Sequence, residues 1–145
     1  MHKADLEIIN LHDDGFHLLV EVFVFNTPFK AVVDTGASRT VLDKSTVEGY
    51  VDKESLAMSD KLSTGLGTNS MESHTLSIPE FSIGSLTIFN FETAVLDLSM
   101  INAAYQSLQI GPIIGVIGGD ILLQYNAVIN YPNRKITFKK PFYNP

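Results

Sequence analysis

The stretch 31–40, Ala-Val-Val-Asp-Thr-Gly-Ala-Ser-Arg-Thr, constrains this chain more than any other. Ala31, Val32 and Val33 are small or β-branched and read as a buried strand, yet the strand ends on a carboxylate, Asp34. Withdrawing a lone charge from water is expensive, so an acid placed there needs hydrogen-bond donors, a shifted pKa or a chemical task. Gly36 lets the backbone turn tightly, and Thr35 and Ser38 bring short hydroxyls that can orient their neighbours. An Asx-turn, in which Asp34 bonds its own backbone two residues on, accounts for the same letters. A D-T-G triplet alone is too short to separate the two readings.

A second stretch adds weight. Residues 113–123, Ile-Ile-Gly-Val-Ile-Gly-Gly-Asp-Ile-Leu-Leu, form another apolar strand that closes on Gly118-Gly119. Asp120 then opens a short helix over 120–124, where its charge and capping oxygen favour the N-terminus, so it reads as structural rather than catalytic.

With D-T-G-A followed far downstream by an apolar-apolar-Gly strand and a helix start, the chain resembles the retropepsin-like aspartic proteases over residues 18–139. The resemblance implies an all-β fold in one domain over 1–145: a closed acid-protease barrel lobe with a flap hairpin and one short helix near the C-terminus. It implies a catalytic loop of Asp34, Thr35 and Gly36, and substrate contacts from Ala37, Ser38, Gly65, Leu66, Gly67, Ile114 and Val116. Val33 and Ile113 join Leu66, Ile114 and Val116 as apolar subsite residues. The flap falls on 61–78, where Gly65 and Gly67 mark a hairpin tip. That segment is no phosphate loop, since it lacks the third Gly of a dinucleotide fingerprint and no Gly-Lys-Ser/Thr follows.

Residues 6–11 alternate as a strand, 12–15 turn, and 16–25 run as a second strand with Leu18, Val20, Val22 and Val24 on one face and Glu21 on the other. Asn26-Thr27-Pro28 turns the chain into 29–33. Residues 40–42 are strand, 43–60 a polar stretch with a short helix, and 81–96 two strands around Gly84-Ser85. Residues 98–110 are helical or irregular, and 126–131 with 135–139 make a hairpin around Pro132-Asn133.

Composition narrows the classes. At 145 residues, 45% hydrophobic and 18% charged, the chain can bury a core without staples. It has no Cys, which removes disulfides, cysteine metal sites and thiol nucleophiles. A net charge of −6 with only ten scattered Lys and Arg argues against a nucleic-acid partner. No apolar run approaches the roughly 20 residues that span a bilayer, and the N-terminus lacks a signal-peptide core. A soluble, cytoplasmic setting is favoured, with a periplasmic or secreted one following if a leader precedes Met1. His12, Asp13, Asp14 and His17 sit around a hairpin turn where polar residues belong, which outweighs metal ligation.

Amide hydrolysis by activated water needs one carboxylate as base and one carboxyl as acid. The chain carries a single D-T-G and no visible repeat of it, so the second acid must come from a second copy across a two-fold axis. The expected partners are a polypeptide substrate and a second copy of the chain, with no metal or organic cofactor. Strand pairing at 6–11 and 135–139, whose edges are expected to be open, would join the copies. Ala37 stands where many relatives carry Ser, so without that donor the optimum should be weakly acid. Rival readings are a peptide-binding module on the same lobe and a glycosidase using Asp34 and Asp120. Gly-Ala-Ser-Arg lacks the closing Gly of a serine nucleophile elbow.

Overall fold

Alternation of apolar and polar residues along the strands decides which faces meet. The structure is a computed structural model and describes residues 1–58 and 73–140. In chain order these hold β1 (His2–Asn10), β2 (Phe16–Val24), β3 (Thr27–Val33), β4 (Val41–Asp43), α1 (Lys44–Glu48) and β5 (Ala57–Met58). There follow β6 (His74–Ile83), β7 (Leu86–Leu96), α2 (Ser99–Ser107), β8 (Gly115–Ile117), α3 (Gly119–Gln124), β9 (Val128–Asn130) and β10 (Lys135–Phe138). The chain is all-β with short helices, and α2 settles the open reading of 98–110 as a helix.

The sheet runs β5-β6-β7-β4-β8-β3-β2-β1-β10-β9, and a further pairing of β6 with β2 closes six of these strands into a barrel. Inside lie Leu18, Val20, Val22 and Val24 of β2, as their alternation predicts, together with Val33, Phe81, Ile83, Ile114 and Ile117. Each such side chain withdrawn from water contributes on the order of 2 kcal/mol. Leu19, on the opposite face of β2, is buried too, because a second apolar cluster of Leu11, Val32, Ala37, Tyr105, Ile113 and Val116 packs there. That outer cluster lies under α2. Asn102 anchors the helix by donating to the Ile113 carbonyl at 3.2 Å and accepting from the Ile113 N–H at 2.8 Å.

Two turns depart from or sharpen the sequence reading. Val24 pairs directly with Thr27, so the β2–β3 turn is Phe25-Asn26, both at positive φ, one residue earlier than expected. Two residues of this kind match the twist of a tight hairpin, which leaves Pro28 in the strand. At the β6–β7 turn, Gly84 has φ +55 and a Cβ there would lie 2.3 Å from the Lys3 carbonyl oxygen.

Of the two edges expected to be open, that of β10 is engaged on both sides within the chain, whereas each half of β1 has one partner strand. β1 pairs with β10 through residues 2–5 and with β2 through residues 6–10, while β10 is flanked by both β1 and β9. The outer strand of this end of the sheet is β9, whose Val128 is exposed.

Candidate active site

β8 lies between β3, to which it runs parallel, and β4, to which it runs antiparallel. The chain therefore leaves β3 on one side of β8, turns through 34–40 and re-enters on the other side. At the crossing the Asp34 N–H donates to the Ile117 carbonyl at 3.0 Å, and the Ala37 N–H returns to the Asp34 carbonyl at 3.2 Å. Asp34 Oδ1 accepts the Gly36 N–H at 2.9 Å. The local Asx contact forms, and the carboxylate is nevertheless exposed, as are Thr35, Gly36 and Ser38.

The loop is braced from behind. Gly119 N–H donates to the Ala37 carbonyl at 2.8 Å, and Gly118 sits against the backbone of Arg39, where a Cβ would meet the Arg39 carbonyl at 2.5 Å. Thr40, fully buried, donates its N–H and its hydroxyl to Asp120 Oδ1 at 2.9 and 2.8 Å, while its Oγ1 accepts the Gly118 N–H at 3.1 Å. The same Asp120 oxygen accepts the N–H of Ile121 in its own helix. Asp120 ties the D-T-G turn to α3. Asp43, also buried, accepts from Leu98 N–H and from Thr46, and so caps α1 while holding the entry to α2.

Asp34 opens onto a cavity of about 350 Å³. Val32 and Val116, paired across β3 and β8, form its floor beside Leu11, and Ile101, Ala104, Tyr105 and Leu108 of α2 and the residue after it form a wall. These four recur at the spacing that puts side chains on one helical face. His17 and Tyr105 meet at its rim, Nδ1 to hydroxyl 2.5 Å, with rings edge to face. Burial, and then the negative charge of Asp34, hold the Tyr105 phenol above the ordinary tyrosine range. A larger hollow of about 530 Å³ lies among Lys3, Asp5, Glu21 and Lys135, where Asp5 and Lys135 are already paired at the surface. It contains no part of the D-T-G turn.

Of the expected site residues, Asp34 and Val116 line the cavity, and Thr35 and Gly36 lie exposed on the turn that carries Asp34. It puts Ile114 and Val33 in the barrel interior, because they face the opposite side of the sheet from Val32 and Val116. Ala37 is buried in the outer cluster beneath the loop, and Ser38 lies exposed on it. Gly65, Leu66 and Gly67, with the expected flap, lie outside the described residues. His17 and Tyr105 escaped the sequence reading as cavity residues, although the spacing of Ile101, Tyr105 and Leu108 marks a helical face. Among the described residues no three His, Asp or Glu gather where a metal ion could be held.

Comparison with known proteins agrees with this geometry. The retroviral protease-like domain of Ddi1 from Leishmania major superposes with a TM-score of 0.59 at 17% identity, covering 83% of this chain and 86% of the other. A retropepsin-like aspartic protease from Rickettsia conorii superposes with a TM-score of 0.56 at 22% identity, covering 97% of this chain and 96% of the other. The fold is thus that of the retropepsin-like proteins. No match was found among curated protein sequences. A family model described as aspartyl protease matches residues 20–121, a span that includes the Asp34 turn, the barrel, α2 and the Gly118-Gly119 crossing. The chain belongs to the aspartyl protease family.

Proposed function

We propose that the chain is an aspartic endopeptidase whose site forms between two copies, each contributing Asp34. The observation that carries this reading is an exposed carboxylate with one local hydrogen bond, on a braced turn, at the mouth of an apolar cavity. One ionised Asp34 takes a proton from water as its oxygen bonds to the peptide carbonyl carbon. The protonated Asp34 of the other copy gives its proton to the carbonyl oxygen. Collapse of the tetrahedral adduct breaks the C–N bond, and the leaving nitrogen takes up a proton from the pair. Thr35 and Gly36 hold the two turns together across the axis, and Ser38 with Gly65, Leu66 and Gly67 of the expected flap contacts the bound peptide. Two copies pair through the outer edge of β9, the end strand of the sheet, since β10 is flanked by β1 and β9 within the chain.

A second reading has its own support: the Gly36 contact satisfies Asp34 locally, as a catalytically silent peptide-binding module would require. The two separate by mixing. Excess Asp34→Asn chain added to wild type forms heterodimers with one acid and lowers turnover in proportion, and dilution below the dimerisation constant lowers specific activity. Constant specific activity across concentrations at which only monomer sediments would remove the shared site.

A further inference from the structure

The cavity beside Asp34 is apolar except at its rim, where one pair is neither needed for the barrel nor used by the carboxylate chemistry. His17 projects from β2 and Tyr105 from α2, and their Nδ1-to-hydroxyl distance is 2.5 Å. They lie 88 residues apart in sequence, so the contact reflects how the helix is docked. We propose that His17 and Tyr105 are specificity-determining residues of this cavity, reading the tip of the substrate side chain that fills it through a hydrogen bond whose direction follows the protonation of His17. This deepens the peptidase reading and rests on it.

The chemistry is that of a reversible donor. In the tautomer assigned to neutral His17, with its hydrogen on Nε2, the imidazole accepts the phenol hydrogen at Nδ1; Tyr105 then directs its one hydrogen at His17 and offers the cavity only oxygen lone pairs. An imidazolium carries hydrogen on both ring nitrogens and must donate to the Tyr105 oxygen. The phenol hydrogen is then free to turn into the cavity. Tyr105 keeps that hydrogen throughout, because burial and the charge of Asp34 hold its phenol in the protonated form. Among the described residues, the titratable groups that share the cavity with the pair are Asp14, from the turn after β1, and Asp34, from the end of β3. Val32, Ile101 and Val116 offer no polar atom of their side chains, so among the described lining residues the rim pair supplies the donors that a side chain seated on that floor can meet. The cavity therefore accepts an apolar side chain at neutral pH and gains preference for one ending in a carbonyl acceptor, such as Gln, as His17 takes up its proton.

The test uses two peptides that differ only in Met or Gln, residues of similar size and shape, next to the cleaved bond. The ratio of their kcat/KM values cancels the proton dependence of the shared acid pair. In wild type the Gln-to-Met ratio should rise about fivefold from about pH 7.5 to about pH 5, the worth of one hydrogen bond, and it should stay flat in Tyr105→Phe and in His17→Gln. His17 is exposed, so its variant keeps the fold even where the Tyr105 change does not. A flat ratio in wild type overturns the proposal, as does a slope that survives in His17→Gln, which would assign it to Asp14 or Asp34. If wild type cleaves neither peptide, the peptidase reading falls, and the same ratio is read as relative affinity for the Asp34→Asn chain. A slope there sustains the pair as a selector, and a flat ratio overturns it.

Discussion

Two turns meet at the end of the barrel, each following a short apolar strand and each carrying an Asp, and they treat their carboxylates in opposite ways. Asp120 has one oxygen taking three hydrogen bonds, two of them from the buried Thr40. Asp34 accepts one, from its own turn, and faces the cavity. A carboxylate surrounded by fixed donors is held in one position, so it serves as a joint. One left with open lone pairs on a rigid turn can exchange protons without the turn moving. The lesson is that the number and origin of donors, more than the apolar strand leading in, separate an acid committed to structure from one left accessible.

Exchanging the two acids gives the largest expected effect. Asp34→Ala should lower kcat by about a thousandfold or more while circular dichroism and melting stay close to wild type. Asp120→Ala should do the reverse, leaving Thr40 donors buried without an acceptor at a stability cost of about 3 kcal/mol, read from denaturant unfolding. A stable, active Asp120→Ala chain, or an unfolded Asp34→Ala chain, would erase the distinction. Gly118→Ala tests the shared wall between the turns. Its Cβ has no room against Arg39, so the turns must separate, at about 2 kcal/mol of stability and with weaker activity. Unchanged melting would mean that the turns are not pressed together. The smallest effect belongs to Ala37→Ser, which adds a hydroxyl behind Asp34. If it reaches the carboxylate it favours the ionised form, lowers the pKa of the pair and moves the acidic limb of the pH–rate profile downward by less than about one unit. An overlaying profile would leave the Ala37 side chain with packing alone.

The sequence made Asp34 and its turn legible because a charge at the end of an apolar strand breaks a local rule. The barrel strands were legible for a similar reason, as in the alternation of Leu18, Val20, Val22 and Val24. Asp120 read as a cap on the helix after Gly118-Gly119, whereas the N-cap of α3 is Gly118 and the Asp120 carboxylate is held by Thr40, a partner that the local sequence does not show. What stayed hidden depends on contacts between distant segments. Val33 and Val32 look alike in sequence, yet one faces the barrel interior and the other the cavity, and only the pairing of β3 with β8 assigns the faces. His17 read as one polar residue beside a turn, since nothing local reveals that α2 will set Tyr105 against it. The edges of β1 and β10 read as open because their mutual pairing joins opposite ends of the described chain.

The crossing at β8 also sets a schedule. Thr40 and Asp120, the two sides of the joint, stand 80 residues apart, and most of the barrel lies between them. A contact of such sequence separation forms late, after loop closure has been offset by nearer pairings, and it slows folding relative to a chain of local hairpins. During synthesis, the segment bearing Asp34 emerges long before its support. Until β8 and α3 arrive, β3 and β4 have no strand between them, and the Asp34 turn has no fixed shape. The Asp34 turn therefore takes its braced shape only once the chain has folded as far as α3.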